Sequence, residues 1–321
     1  MIRILFLALF ISLSTIQLSA AESMVVRVDT KDEAHAIHPF IYGQFIEHLG
    51  RCIYGGIWAE MLEDRKFYFP VTADYSPFRD LVDSRFPVVG ASPWEITGDT
   101  DGVEMSRERP FVGEHSPLVR KGSGIRQGHL EFRSGLPYTG YVWIESVDAE
   151  AEVEVTLVWG DSPSARHSVY FQPPVGEFVR YPFQFSPSGE SGGLEIRVLT
   201  GAARVGTVSL MPSDHVNGMR RDTLALLKEL KGTVYRWPGG NFVSGYDWRD
   251  GIGDRDRRPP RKNPAWTGVE HNDFGTDEFI AFCREVEAVP MIAANTGFGD
   301  AFSAAQWVEY CNGTTDTVAG S

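Results

Sequence analysis

The hydrophobic pattern of this 321-residue chain changes twice, since a middle segment without helical periodicity separates two regions that have it. This middle segment restricts the folds that the chain can adopt. From about Pro70 to Met211, helical periodicity disappears and short alternating runs of apolar and polar residues recur between Gly, Pro and Ser. Five of these runs predict strands: Tyr141–Ile144, Glu152–Val158, Phe178–Phe183, Leu194–Val198 and Val205–Leu210. Short strands separated by turn residues are typical of a β-sandwich, so we expect one over residues 70–212.

Helix and strand patterns alternate on the C-terminal side of this segment. The predicted elements are, in order, a helix that begins at Ser213 or Asp214 and stops at Gly232, the strand Thr233–Arg236, a helix capped by Thr276, the strand Met291–Ala294 and a helix capped by Ser303. Such alternation favours a parallel sheet, either in a β/α barrel or in an open doubly wound fold. Residues 213–321 are therefore interpreted as successive βα units.

The residues before the middle segment begin with a leader-like stretch. Arg3 and the apolar run Ile4–Ile16 precede small residues near Ala21, which is typical of a secretory signal peptide over residues 1–21. The run is shorter than the roughly 18 residues of a membrane-spanning helix, so we expect a secreted or periplasmic protein with no membrane partner after cleavage. Residues 22–69 predict the first strand region of the β/α part: the strand Met24–Val28, the extended run Ile37–Phe45 and a short helix over Ile57–Lys66.

Charge and cysteine content exclude several classes of function. The chain has 30 Lys and Arg against 43 Asp and Glu, and its net charge of −13 disfavours nucleic acid and anionic membrane surfaces as partners. Three cysteines are too few for a disulfide scaffold, and no CxxC or HExxH motif indicates zinc. The sequence also contains no glycine-rich phosphate loop of the GxGxxG type. We therefore expect neither a metal nor a cofactor.

Polar side chains directly follow three of the predicted strands. These strand ends are Gln44–His48, Arg236–Phe242 and Asn295–Gly299. In β/α folds the functional residues gather at the carboxyl ends of the strands. Carboxylate, guanidinium and carboxamide groups together can bind a ligand that carries several hydroxyl groups. We identify Glu47, Arg236 and Asn241 as candidate substrate-binding residues.

Each candidate also has a purely structural interpretation. Glu47 could be an exposed residue at a strand end, and Arg236 could be its buried ion-pair partner. Asn241 could cap the turn that follows Gly239 and Gly240. Three aromatic residues of the long loop after Arg236 could either form a platform for a sugar ring or pack in the core: Tyr246, Trp248 and Trp266.

Several blocks of the chain resemble glycoside hydrolase family 51 α-L-arabinofuranosidases. The blocks are His38–Gly50, Cys52–Gly56, Arg236–Trp248, Glu270–Gly275 and Trp307–Asn312. They occur in the order that the family shows, and the resemblance covers residues 37–56 and 213–313. The intervening segment is similar to the carbohydrate-binding-type insert of some family members, and whether it binds sugar is open.

The resemblance implies the N-terminal portion of a TIM (β/α)8 barrel that is interrupted by a jelly-roll-like β-sandwich over residues 70–212. It also implies a retaining hydrolase without metal or cofactor, which releases terminal α-L-arabinofuranosyl units from plant polysaccharides or oligosaccharides. Glu47, Arg236 and Asn241 match the family's sugar-contacting and carboxylate-orienting residues. Neither catalytic glutamate has a match, because the chain ends at Ser321 before a fourth strand. Three glutamates of the C-terminal part are not substitutes, since Glu278 and Glu309 fall on predicted helices and Glu270 in a loop. We expect both glutamates beyond Ser321 and no hydrolysis by this chain.

Chain length agrees with an incomplete barrel. Without the leader and the insert, fewer residues remain than the roughly 200 that a (β/α)8 barrel needs. We expect the sandwich to fold independently and the full-length form to be a possible oligomer. Two alternatives stay open: an endoglucanase or β-xylosidase on the same scaffold, and a non-catalytic carbohydrate-binding protein.

Overall fold

The computed structural model describes residues 24–31, 35–77 and 90–320, in two compact units, Met1–His38 and Pro39–Ser321. The described part of the first unit contains no helix and no strand.

The strand predicted over Met24–Val28 is wrong. Met24, Val25 and Val26 are exposed, and alternation alone forms no strand where the backbone does not pair with a neighbour. The predicted signal peptide, residues 1–21, lies outside the described residues.

The second unit consists mostly of β-sheet, with few helices. Its strands are β1 (Gln44–Phe45), β2 (Glu95–Gly98), β3 (Val103–Ser106), β4 (Ser116–Arg120), β5 (Ser123–Glu131), β6 (Tyr138–Ser146), β7 (Glu152–Val158), β8 (Arg166–Phe171), β9 (Val179–Phe185), β10 (Ser191–Thr200), β11 (Ala202–Pro212), β12 (Val234–Trp237), β13 (Arg261–Lys262), β14 (Val269–Glu270) and β15 (Val289–Ile292). Its α-helices are α1 (Arg221–Leu230), α2 (Thr276–Glu285) and α3 (Ala301–Asn312). No helix in the described ranges has the length and apolarity that a membrane span requires.

Two five-stranded antiparallel sheets form a β-sandwich. Their strand orders are β2-β5-β10-β7-β8 and β3-β4-β11-β6-β9. In β6, buried Val142 and Ile144 alternate with half-buried Tyr141 and Trp143, so one face of the strand packs inward. Inward side chains of both sheets form one continuous hydrophobic core.

The five strands predicted for the middle segment correspond to β6, β7, β9, β10 and β11. The prediction missed β2 to β5 and β8. In β5, Gly124 and Gly128 interrupt the apolar alternation, and β8 is an edge strand without a fully buried residue. Pairing with neighbouring strands, which no local pattern reports, makes these segments extended.

A second, smaller sheet is parallel and has the order β1-β12-β15. Gln44 pairs with Tyr235, and Arg236 pairs with both Phe45 and Met291. Helices α1 and α2 connect successive strands of this sheet, as the predicted alternation requires. The described residues form no closed barrel, and Phe45 and Met291 are more than half exposed on the sheet.

The starts of the three helices differ from the prediction. Neither Ser213 nor Asp214 caps α1, because Asn217 and Gly218 have positive φ angles of 52° and 85° and interrupt the helical path. Gly275, not Thr276, is the N-cap residue of α2, and its amide donates to Glu278 at 2.9 Å.

Helix α3 is capped one turn earlier than predicted. Asp300 precedes the helix, and its side chain accepts a hydrogen bond from the Ser303 amide at 2.7 Å. A preceding Asp is as good an N-cap as Ser, so sequence alone does not separate the two positions.

The helix predicted over Ile57–Lys66 is also wrong, because its polar residues are buried in an ion cluster instead of facing solvent. Arg65 donates to both oxygens of Asp273, at 2.5 and 2.7 Å, and to Asp256 at 3.0 Å. Lys66 lies 2.8 Å from Asp273 and donates to three backbone carbonyls. We call Arg65, Lys66, Asp256 and Asp273 the ion cluster.

The ion cluster connects the sandwich to the β/α part. From β6, the Tyr141 hydroxyl donates to Asp256 at 2.7 Å and the Trp143 indole donates to the same carboxylate at 2.8 Å. Burial opposes ionisation of Asp273, but Arg65 and Lys66 outweigh it and hold the pKa of that carboxyl well below its usual range. The sandwich and the β/α part therefore share a buried, charged contact.

Candidate functional site

The three predicted strand ends lie along one edge of the small parallel sheet. Neighbouring parallel strands place their carboxyl ends on the same side, and the register of β1, β12 and β15 does so here. Glu47 follows β1, Pro238 to Asn241 follow β12, and Asn295 follows β15. The fold thus brings together polar groups that are far apart in sequence.

Glu47 is held in one orientation at this edge. Its carboxylate oxygen Oε1 accepts hydrogen bonds from the Phe242 amide and from the Trp266 indole, each at 3.1 Å. The side chain is only 6% exposed, so its interpretation as an exposed residue at a strand end does not hold. Oε2 accepts no hydrogen bond from the described residues.

Gly239 makes this position of Glu47 possible. A Cβ atom on Gly239 would lie 2.1 Å from Cγ of Glu47, and the residue has a φ of +136°, which only glycine adopts readily. Glycine at this position therefore allows the backbone to approach the Glu47 carboxylate closely.

Arg236 is half-buried on β12 and does not pair with Glu47. Its guanidinium lies 5.2 Å from the centre of the Phe45 ring, and no carboxylate of the described residues forms an ion pair with it. The interpretation of Arg236 as the buried ion-pair partner of Glu47 is therefore wrong for this structure.

Asn241 is exposed at the start of a 3₁₀ helix, Phe242–Gly245. It occupies the N-cap position, but its side chain makes no capping hydrogen bond. Its carboxamide can therefore both donate to and accept from a ligand hydroxyl.

Of the three loop aromatics, two pack in the core and one contacts Glu47. Tyr246 and Trp248 are 6% and 4% exposed and pack in the hydrophobic core of the β/α part. Trp266 is half-buried, and its indole donates to Glu47.

His48, the next residue along the chain from Glu47, belongs to a buried polar group that the sequence did not predict. Nε2 of His48 accepts a hydrogen bond from the Trp237 indole at 2.9 Å, and Nδ1 lies 2.5 Å from Oε2 of Glu270. Because an indole nitrogen only donates, the His48 proton resides on Nδ1, facing the Glu270 carboxylate. Tyr54 donates to the other oxygen of Glu270, and burial together with that charge raises the pKa of the phenol well above its usual value.

These contacts hold the His48 side chain and leave little of Glu270 available to a ligand. Glu270 lies on β14 and is 2% exposed. Only the resemblance blocks, which contain both His48 and Glu270, point to this pair in the sequence, and nothing in their spacing predicts the contact.

Asn295 organises the third strand end. Its Oδ1 accepts from the amides of Gly297 and Gly299 at 3.0 and 3.2 Å, and its Nδ2 donates to the Tyr246 carbonyl at 3.2 Å. No group of three or more His, Cys, Asp or Glu residues in the described ranges is arranged to hold a metal ion. Carboxylate and carboxamide groups, such as those of Glu47 and Asn241, can form hydrogen bonds with hydroxyls.

Comparison with known proteins points to the C-terminal part of the chain, which contains two of the three strand ends. Residues 226–321 match the family model of the α-L-arabinofuranosidase 1 domain. α-L-Arabinofuranosidase C of Emericella nidulans is 51% identical over 106 residues, which are 33% of this chain and 21% of the relative. The intracellular exo-α-(1→5)-L-arabinofuranosidase 1 of Bacillus subtilis is 42% identical over 101 residues, 32% of this chain and 20% of the relative.

A solved structure shows a similar extent of likeness. The α-L-arabinofuranosidase from Thermotoga maritima, in an arabinose complex, is 52% identical over 32% of this chain and 21% of that chain, with a TM-score of 0.31. The matching region thus spans about one fifth of the length of these relatives. The resemblance is confirmed over about a third of the chain, where residues 226–321 match the α-L-arabinofuranosidase 1 domain and the chain is similar to α-L-arabinofuranosidases.

Proposed function

We propose that this chain supplies the sugar-binding part of a glycoside hydrolase that acts on terminal α-L-arabinofuranosyl residues. One observation carries the proposal. The Glu47 carboxylate is fixed at the carboxyl edge of the parallel sheet through Oε1, while Oε2 has no partner among the described residues. A buried carboxylate with one oxygen left over is suited to accept hydrogen bonds from a sugar hydroxyl.

The neighbouring residues support the same ligand. The Asn241 carboxamide is exposed beside the glycine pair and can position a second hydroxyl. Arg236 has no carboxylate partner among the described residues, which supports its role in orienting a catalytic carboxylate from another strand of a (β/α)8 barrel. The parallel sheet, with its connecting helices, is consistent with the first units of such a barrel.

Cleavage with retention needs two carboxyl groups about 5–5.5 Å apart across the glycosidic bond. The glutamates of the C-terminal part offer no such pair. Glu270 is engaged by His48 and Tyr54, and Glu278 and Glu309 lie on helices α2 and α3. We therefore propose that the described residues bind the sugar and that Glu270, Glu278 and Glu309 do not form the catalytic pair.

The natural substrate that fits this proposal is an arabinose-containing polysaccharide or oligosaccharide. The leader-like residues 1–21 support export, which would bring the protein to such a polymer.

Binding to methyl α-L-arabinofuranoside tests the proposal. Isothermal titration calorimetry should show binding by the wild-type chain and affinity at least tenfold weaker for Glu47→Gln. The loss of a charge-assisted hydrogen bond corresponds to about 1.5–3 kcal/mol. Glu104→Gln is the matched control, because Glu104 is an exposed residue of the sandwich that pairs with Arg120.

Three results would contradict the proposal in separable ways. Equal affinity of wild type and Glu47→Gln would remove Glu47 from the site. Tighter binding of methyl β-D-xylopyranoside would favour a pyranose-specific enzyme. Release of 4-nitrophenol from 4-nitrophenyl α-L-arabinofuranoside by the purified chain would show that it cleaves the sugar.

A further inference from the structure

Part of the long loop after β12 forms a hairpin whose tip contacts the Glu47 carboxylate. The short strands β13 and β14 pair antiparallel, and the Asn263 amide closes the turn between them by donating to the Gly268 carbonyl at 3.0 Å. We call residues 263–268 the hairpin tip. The tip carries Trp266, whose indole donates to Oε1 of Glu47.

The Asn263 side chain connects the hairpin tip to the segment that follows β1. Its Oδ1 accepts from the amides of Ala265 and Trp266 at 3.0 and 2.8 Å, and its Nδ2 donates to the His48 carbonyl at 2.8 Å. Because backbone amides only donate and carbonyls only accept, these partners leave one orientation for the carboxamide. Asn263 is 8% exposed, so the loss of this side chain would leave buried polar groups without partners.

Both ends of this connection lie beside the Glu47 carboxylate. Trp266 supplies the indole that donates to Oε1 at 3.1 Å, and His48 directly follows Glu47 in the chain. Asn263 therefore fixes the donor and the acceptor of this hydrogen bond relative to each other. A tryptophan side chain rotates about two torsions, so the place of its indole N–H depends on a fixed backbone.

The hairpin tip also packs on the 3₁₀ helix that follows Asn241. A Cβ atom on Gly245 would lie 2.5 Å from Cβ of Pro264, so the two segments are in close contact. The amide of Phe242, the other donor to Oε1 of Glu47, belongs to this 3₁₀ helix. The two donors to Oε1 thus come from segments that pack on each other.

From these contacts we infer that Asn263 is a positioning residue of the proposed sugar site. It places the Trp266 indole against Oε1 of Glu47 and so fixes the carboxylate in the orientation in which Oε2 binds the sugar hydroxyl. The inference rests on the proposed function and adds to it a residue that acts through Trp266.

The indole N–H signals provide a readout that does not depend on the sugar. The chain has eight tryptophans, and with ¹⁵N-labelled indoles the signal that is absent from Trp266→Phe identifies Trp266 in a ¹H–¹⁵N spectrum. This signal should shift in Glu47→Gln, which changes its acceptor, and in Asn263→Ala, which releases its backbone.

Asn272→Ala is the matched control for Asn263→Ala. Asn272 is 1% exposed, and its carboxamide donates to the Pro259 carbonyl at 2.7 Å. Its φ of 58° makes alanine at least as unfavourable there as at Asn263. The control therefore destabilises the fold without touching the hairpin tip, and the Trp266 signal should stay in place.

Calorimetric titration with methyl α-L-arabinofuranoside measures the consequence for binding. Asn263→Ala should bind roughly three- to tenfold more weakly than wild type, and Asn272→Ala should bind as tightly as wild type. Asn263→Ala combined with Trp266→Phe should lose little more affinity than Trp266→Phe alone, because both changes remove the same contact.

A milder variant covers the case in which Asn263→Ala does not fold. Asn263→Asp keeps the acceptor for the two tip amides and loses only the donor to His48. Its Trp266 signal should shift and its sugar affinity should fall, each by less than in Asn263→Ala. An unchanged signal and an unchanged affinity in this variant would overturn the inference.

The outcomes separate this inference from the proposed function. An unmoved Trp266 signal in Asn263→Ala, an equal loss of affinity in Asn272→Ala, or additive losses in the double variant would each overturn the positioning role and leave the Glu47 site intact. Equal affinities of wild type and Glu47→Gln would instead overturn the proposed function, even with the Trp266 signal shifted in Asn263→Ala.

Discussion

At the residue scale, the position of the Glu47 carboxylate depends on the glycine that faces it. Gly239→Ala would place a methyl group 2.1 Å from Glu47 Cγ at a φ of +136°, so both contact and backbone conformation oppose the substitution. We expect a loss of about 1–3 kcal/mol in the free energy of unfolding and a loss of sugar binding. Urea denaturation followed by circular dichroism measures the first quantity.

The adjacent glycine provides the control for that prediction. A Cβ on Gly240 would meet only Oε2 of Glu47, at 3.9 Å, which is ordinary van der Waals contact. Gly240→Ala should therefore change stability by less than about 0.5 kcal/mol. Similar losses of stability in the two variants would show that the glycine pair is needed for the conformation of the loop and not for the position of the Glu47 carboxylate.

The sequence could predict which polar residues gather at the sheet edge, but not how they contact each other. Glu47, Arg236 and Asn241 follow apolar strands, and parallel pairing places the ends of such strands together. The contact between His48 and Glu270 and the separation of Arg236 from Glu47 depend on side-chain packing between segments about 200 residues apart. No spacing along the chain specifies such packing.

At the element scale, the segment from Ile57 to Phe69 illustrates why a helical pattern does not ensure a helix. Its apolar spacing predicts a helix, yet Asp64 and Phe67 adopt positive φ angles of 47° and 56°. Glu60, Asp64 and Arg65 instead form hydrogen bonds with groups outside a helical ladder. Tertiary contacts of buried polar groups outweigh a weak local preference.

Protonation of Glu60 makes the stability of the folded state depend on pH. Its carboxylate accepts hydrogen bonds from Ser209 and Leu210 of β11, at 2.6 and 2.9 Å, and from the Leu62 amide, at 3.1 Å. Burial raises the pKa of Glu60 to about 7, although Arg65 opposes the shift. Between about pH 4.5 and 7 the folded state therefore holds a proton that the unfolded state releases, and this contribution to stability is lost as pH rises.

Comparison with Glu60→Gln isolates that contribution. Histidines with a lowered pKa, such as His271 at about 4, act in the opposite direction between pH 4 and 6.5, so the wild-type profile alone mixes both effects. Relative to wild type, the thermal midpoint of Glu60→Gln should rise from pH 5 to pH 8. Exposed Glu104→Gln should show no such trend, and a flat difference for Glu60→Gln would refute the assignment.

At the scale of the whole molecule, the sequence indicates a sandwich inserted in a β/α fold but not the strength of the connection between them. The alternation of β7 or β10 and the helical stripes of α1 and α2 are local signals, and the sequence contains them. The ion cluster forms between Arg65 and Asp273, which are 208 residues apart, and appears in the sequence only as scattered charges. The expectation that the sandwich folds independently therefore rests on local signals alone.

The ion cluster predicts that the two parts unfold together. Asp273 is 1% exposed, accepts hydrogen bonds from Arg65 and forms an ion pair with Lys66, so Asp273→Asn would leave two buried cations short of a counter-charge. Breaking a buried ion pair in this way costs about 3–5 kcal/mol. Hydrogen exchange with mass spectrometry should show faster exchange both in β6 to β11 and in α1 to α3.

The matched control is Asp222→Asn, which breaks an exposed surface pair with Arg220. This variant should change exchange in neither region measurably. Faster exchange in the helices alone would mean that the sandwich unfolds as an independent unit.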